Sequence, residues 1–200
     1  MKLYNTLSRK IEEFVPWNKD CVSFYTCGPT VYHYAHIGNM RNYIGHDVLD
    51  KTLRYLGYNV KRVMNITDVG HLTSDSDFGD DKMVKSAKEE HKTVMDIARF
   101  YTDAFFHDFE LLNNRIPDIV SPATANIQEY IKIISKLLDT GYAYKSNGNI
   151  YFDTTKLEDY YCLTNHKADE MVVGARAGVE EDASKRNQND FVLWFTKSKF

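Results

Sequence analysis

Apolar positions along this chain follow strand spacing first and helix spacing next. "VSFYTC", Val22 to Cys27, is a short β-branched and aromatic run closed by Gly28-Pro29, which predicts a buried strand. From Asn39 onward, Met40, Tyr43, Ile44, Val48, Leu49, Leu53 and Leu56 share one helical face, and Gly57 is placed to stop that helix. "NVKRVMNI", Asn59 to Ile66, then predicts a second strand. Strand, helix and strand in this order form a βαβ unit, whose crossover places the two strands parallel in one sheet. Ligands of such sheets bind beyond the C-terminal strand ends, where loops meet helix N-termini. Cys27 and Thr67-Asp68 both fall at such ends.

The pattern then changes. Between Gly70 and Glu90 no apolar period is sustained, which predicts a long loop leading into a short helix. Val94, Ile97, Ala98, Tyr101, Phe105, Phe109 and Leu112 define a strong amphipathic helix. A further helix is expected from about Thr124 to Thr140, with Ile127, Tyr130, Ile131, Ile134 and Leu138 inward and Gly141 as its stop. "YAYKSNGNIYFDT" reads as a β-hairpin turning at Asn147-Gly148. The final stretch holds a charged loop and an apolar "FVLWF", in which Trp194 is expected to anchor a core. A doubly wound sheet needs more parallel strands than these, so the chain reads as the beginning of something longer.

Composition narrows the class. Two hundred residues, 43% of them hydrophobic, suffice for one full core or two small ones. No apolar run approaches the roughly 20 residues of a membrane helix, and the N-terminus lacks the pattern of a secretory signal. No membrane association is expected, and the cytoplasm is the default compartment. Cys21, Cys27 and Cys162 are too few for a disulfide framework and suit a reducing compartment. The 25 basic and 28 acidic residues leave a net charge of −3, which does not mark the bulk surface as a nucleic-acid binder.

Candidate chemistry gathers after the first strand. His33 and His36 lie just before the periodic helix, with Gly38 among its first residues. A helix N-terminus offers free N–H groups and partial positive charge that suit phosphate, and imidazoles could donate to its oxygens. A capped helix with surface histidines accounts for the same letters about as well. Cys27 allows a small buried hydrophobe or a zinc thiolate. Without CxxC or HxxxH nearby, local spacing favours the former. "KMVKS", Lys82 to Ser86, could hold a triphosphate by its letters, yet acidic neighbours make it a solvated loop-to-helix junction. His71, His91, His107 and His166 have nothing around them that asks for a role.

At residues 27 to 39, "CGPTVYHYAHIGN", the chain resembles the cysteinyl-tRNA synthetase family of class I aminoacyl-tRNA synthetases. The likeness extends through "LYNTLSRK", "VMNITDVGH", "GNIYFDTTK" and "NDFVLWF", and so covers essentially the whole chain. It implies an α/β fold in which residues 1–112 form the first half of an ATP-binding, Rossmann-type parallel-sheet domain. Residues 113–200 would form an inserted α+β connective segment with helix and hairpin. The implied activity joins cysteine to ATP as cysteinyl adenylate and transfers it to tRNA(Cys).

By the same resemblance, His36 and Asn39 are catalytic, and His36-Ile37-Gly38-Asn39 is the class I ATP-binding motif. Pro29, Thr30 and His33 belong to its upstream part, although His33 stands where acidic residues are common in the family. Cys27 would be one ligand of a zinc ion (Zn2+) that binds the substrate thiolate. Cys27, Gly28, Thr67 and Asp68 would line the amino-acid site. Such a Zn–S bond separates cysteine from serine better than a hydrophobic pocket can. Mg2+ would accompany ATP, and the full-length enzyme is expected to be a monomer. In the family the other zinc ligands, the second ATP loop and the anticodon-binding helices lie further C-terminal, so the 200-residue chain alone is expected to be inactive. Two alternatives stand beside this: a related ligase with an amino-sugar acceptor, and a truncated, non-catalytic paralogue.

Overall fold

The computed structural model describes residues 1–69, 93–163 and 184–195, and these divide into two compact units. The first unit takes in the described residues of 15–69 and 93–127; the second takes in those of 1–14 and 128–195.

The first unit is a three-stranded parallel sheet with two helices. Its strands are Val22–Thr26 (β3, since Lys2–Asn5 and Lys10–Glu13 of the second unit are β1 and β2), Val60–Ile66 (β4) and Ile119–Pro122 (β5), in the order β3-β4-β5. Val22 pairs with Val60 and Thr26 with Met64, so the parallel βαβ unit expected from the pattern is present. The third strand was not foreseen. It is four residues long, ends in proline and lies beyond residue 112, yet it extends the sheet from Val63↔Ile119 to Ile66↔Pro122.

Between these strands run Ile37–Tyr55 (α1) and Val94–Leu111 (α2). Alternate residues of β4 point to one face of the sheet, and Val60, Arg62, Met64 and Ile66 are all buried there. Met64 packs with Met40 and Tyr43 of α1 and with Phe105 and Phe109 of α2, so both helices cover that face. Ile66 packs with Val31, Ile97, Ala98 and Tyr101. The inward face of α2 matches the periodic residues except Leu112, which is exposed.

Helix α1 departs from its apolar pattern. Ile44, Val48 and Leu56 are exposed, whereas Asp47 and Asp50 are buried. The reason is Arg62, at 0% exposure on the inward side of β4. A buried guanidinium must be paired, and α1 turns its two aspartates toward it, at 3.6 Å (Asp47) and 4.0 Å (Asp50). The Phe24 and Phe109 rings lie 5.9 and 5.8 Å from its centre, within cation–π range. Burial pulls the pKa of Arg62 down, against the opposing pull of Asp50 and then Asp47. The network widens through Asp118, which accepts from the Arg62 backbone N–H (2.8 Å), Arg54 (2.7 Å) and Arg115 (2.6 Å).

The second unit contains an antiparallel pair, Lys2–Asn5 (β1) and Lys10–Glu13 (β2). It also holds helix Ile127–Asp139 (α3) and a second antiparallel sheet of Ala143–Ser146 (β6), Asn149–Phe152 (β7) and Phe191–Trp194 (β8). The hairpin turns where expected: Asn147 and Gly148 have φ of 47° and 85°, the left-handed pair a tight primed turn needs. Helix α3 is preceded by a 3-10 turn, Ala123–Asn126. Of its expected inward residues Ile134 is buried, while Tyr130 and Ile131 are exposed. Trp194 is half-buried, and the deeper anchor is Asp190. Its carboxylate accepts from the Tyr144 hydroxyl (2.7 Å), the Thr154 N–H (2.9 Å) and the Asn187 N–H (3.1 Å), fixing the approach to β8.

Candidate functional site

The loop after β3 is set by one glycine. The N–H of Gly28 donates to Asn65 Oδ1 at 2.8 Å, and the Tyr25 hydroxyl donates to the same oxygen at 2.9 Å. A Cβ on Gly28 would sit 1.7 Å from the Asn65 carbonyl oxygen, so no other residue fits without moving the loop. Beyond it, Thr67 N–H donates to Pro29 O (2.9 Å) and Val31 N–H to Thr67 O (3.1 Å). These bonds close a parallel bridge between Thr30 and Thr67. The two strand ends are thereby held side by side.

From there the chain enters α1 through a reciprocal cap. His36 is the N-cap, and its Nδ1 accepts from the N–H groups of Gly38 (3.1 Å) and Asn39 (3.3 Å). Asn39 Oδ1 accepts in return from the His36 N–H at 3.1 Å. This arrangement has the logic of a capping box, with imidazole in place of the usual hydroxyl. The Gly38 N–H, expected to face phosphate, is taken up by the His36 ring.

Between loop and helix lies a cleft of about 430 Å³. Gly28, Pro29, Thr30, His33, His36 and Asn39 line it, so six of the residues expected from the sequence come together. The others do not line it. Cys27 is exposed at the end of β3, and Thr67 is half-buried in the bridge. Asp68 is buried and committed: its two oxygens accept from the Thr124 N–H (3.0 Å) and hydroxyl (2.5 Å), which caps the 3-10 turn.

Tyr43, Tyr101 and Phe105 of the two helices also wall the cleft. All three count as core by helical spacing, and nothing in the sequence separates a core aromatic from one that also walls a cleft. The His33 ring stacks parallel to Tyr101, with centroids 6.0 Å apart and planes 6° apart. Burial, and then the neighbouring Cys27, push the Tyr43 phenol up to about 12, so it stays a neutral donor at ordinary pH.

Among the described residues, no three histidine, cysteine or acidic side chains gather closely enough to hold a metal ion. Cys27 offers one thiol where zinc takes about four ligands, so these residues do not by themselves fit a zinc site. Lys82 to Ser86 lie outside the described residues.

The model of the class I (C) tRNA synthetase catalytic domain matches residues 13–199. The chain belongs to this family. Among its curated relatives, the cysteine–tRNA ligase of Treponema denticola is 54% identical over 200 residues, covering 100% of this chain and 40% of that protein. The enzyme of the same name from Borrelia turicatae is 48% identical, covering 100% and 41%. That of Zymomonas mobilis is 46% identical over 191 residues, covering 96% and 36%. The chain thus spans about two-fifths of the length of the relatives it matches. Among solved structures, a LeuRS from Agrobacterium radiobacter in ternary complex with tRNA and LeuAMS aligns with a TM-score of 0.51 at 18% identity, over 66% of this chain and 17% of that one. That likeness concerns fold alone, and it accords with the parallel β3-β4-β5 sheet.

Proposed function

We propose that this chain is the N-terminal catalytic portion of a cysteine–tRNA ligase. It would activate cysteine with ATP and pass the cysteinyl group to tRNA(Cys). The identity of 54% across the whole chain to a protein of that name carries the reading. The cleft between Gly28 and Asn39, lined by six of the residues expected from the sequence, supports it. The residues after strand β5 would form a connective segment inserted between two halves of the catalytic domain, a later start than the expected residue 113 because β5 belongs to the parallel sheet.

In the proposed reaction a carboxylate oxygen of cysteine attacks the α-phosphorus of ATP in line. A P–O bond forms, the bond to the pyrophosphate oxygen breaks, and pyrophosphate leaves with its electron pair. No covalent enzyme intermediate is required, so the protein contributes by positioning and by stabilising charge. His36, at the positive end of α1, serves the phosphates together with Pro29, Thr30, His33 and Asn39. Gly28 and Cys27, one strand end away, would face the amino acid, with the Thr67 segment held beside them. Asp68 contributes by capping, through Thr124, the turn that follows β5. Mg2+ would neutralise ATP. Cys27 would lend its thiolate to a zinc ion whose remaining ligands come from outside the described residues, and no step here is routed through that ion.

The test is aminoacylation by the natural full-length protein. Cysteine esterified to tRNA(Cys), with no transfer to amino sugars, is the expected result. Transfer to an amino sugar instead would replace this reading with the alternative ligase.

A further inference from the structure

We infer that His36 is held as the neutral Nε2–H tautomer by the helix it caps, and that Gly38 and Asn39 are positioning residues that set this state. Its catalytic consequence rests on the adenylation reading above.

Two backbone N–H groups converge on His36 Nδ1, from Gly38 at 3.1 Å and Asn39 at 3.3 Å. An atom that receives two donors must offer a lone pair, so Nδ1 carries no proton. Flipping the ring would point both N–H groups at a C–H and leave them without their acceptor. A neutral imidazole with bare Nδ1 carries its proton on Nε2. Nε2–H makes no hydrogen bond among the described residues, and His36 lines the cleft. The side chain is therefore a fixed single donor rather than a proton shuttle.

Gly38 makes this geometry possible. A Cβ there would lie 2.9 Å from His36 Cε1 and 3.1 Å from Nδ1, where the ring now rests. Any side chain at 38 forces the imidazole to shift relative to its two donors. Asn39 holds the other half of the cap by accepting the His36 backbone N–H at 3.1 Å. Besides lining the cleft, Asn39 thus also acts through His36 by its amide oxygen.

A purely structural role and a positioning role predict opposite things for Gly38→Ala. The better helix propensity of alanine offsets the loss of the cap, so the melting temperature should stay near that of the parent. The positioned donor, however, should be lost. In the natural full-length protein, long-range proton–nitrogen NMR of the histidine rings reads the tautomer, and His36→Asn assigns the signal by removing it. Asparagine can still cap the helix, so that variant should stay folded.

The expected result is an Nε2–H pattern in the parent. Gly38→Ala should give an averaged pattern and a fall of about 10²-fold in kcat for ATP–pyrophosphate exchange with KM for ATP little changed, the mark of a donor felt in the transition state. Asn39→Asp, which keeps the acceptor, should retain the parent pattern. An Nδ1–H or averaged ring in the parent, or an unaltered ring in Gly38→Ala, would overturn the inference. An Nε2–H parent that shows no exchange at all would support the tautomer while sinking the adenylation reading.

Discussion

The two ends of helix α1 solve different problems with different chemistry. Its N-terminal end is exposed and tied together by contacts two or three residues apart, His36 with Gly38 and Asn39. Its C-terminal half turns Asp47 and Asp50 inward and is tied by contacts far along the chain, Arg54 to Asp118 64 residues away and Asp47 to the Arg115 N–H 68 residues away. Little of the fold's stability rests on the first, and little of the proposed chemistry on the second. Activity and stability should therefore separate along one helix, and substitutions at either end can break that separation.

The largest effect is expected from Asp50→Ala. It leaves the Arg62 guanidinium short of a carboxylate in a site without solvent and should cost about 3–5 kcal/mol in urea unfolding. Replacing Arg62 and Asp50 together by Met and Leu should recover most of that loss, because an apolar isostere removes both charges. A double variant no better than the single would show that the cost lies in packing.

At the opposite end, His36→Ala should lower ATP–pyrophosphate exchange about 10²- to 10³-fold. Its cost in stability should be only about 1 kcal/mol, the worth of a cap. Comparable losses of stability at both ends would erase the contrast. Gly28→Ala comes next. The clash with the Asn65 carbonyl should cost about 1–3 kcal/mol, read from thermal melting.

The smallest effect is a pH dependence. Burial alone would raise Asp118, but the Arg115 hydrogen bond, the Arg62 N–H and the charges of Arg115 and Arg54 outweigh it and hold it at about 2. A carboxylate held below its unfolded value stabilises fully above about pH 4, and its contribution fades as pH falls toward 2. With its side chain 26% exposed, about 1 kcal/mol should be lost across that window in acid titrations of stability. Asp118→Asn should flatten the curve there.

The same contrast explains what could be read from the letters. The β3–α1 turn was legible because its determinants are local: a strand ending at Gly28-Pro29, then His-x-Gly opening a periodic helix. Strand β5 was not, since Ile119–Pro122 has no alternation and becomes a strand only by pairing with Val63 to Ile66. Nor was the inward face of α1. Ile44 and Val48 match the apolar period better than Asp47 and Asp50, and only knowledge that Arg62 points inward reverses the choice. Strands β1 and β2, mostly exposed, bury too little to leave a pattern. At the site, Asp68 carried the right letter at the right strand end, but its partner, Thr124, is 56 residues away.

The most direct test of the central claim is cysteine-dependent exchange of pyrophosphate into ATP by the natural full-length protein, alongside its His36→Ala and Asp50→Ala variants. Exchange is expected with cysteine and not serine, nearly lost in His36→Ala and retained per folded molecule in Asp50→Ala. Absence of cysteine-dependent exchange in the parent, or exchange undiminished in His36→Ala, would contradict it.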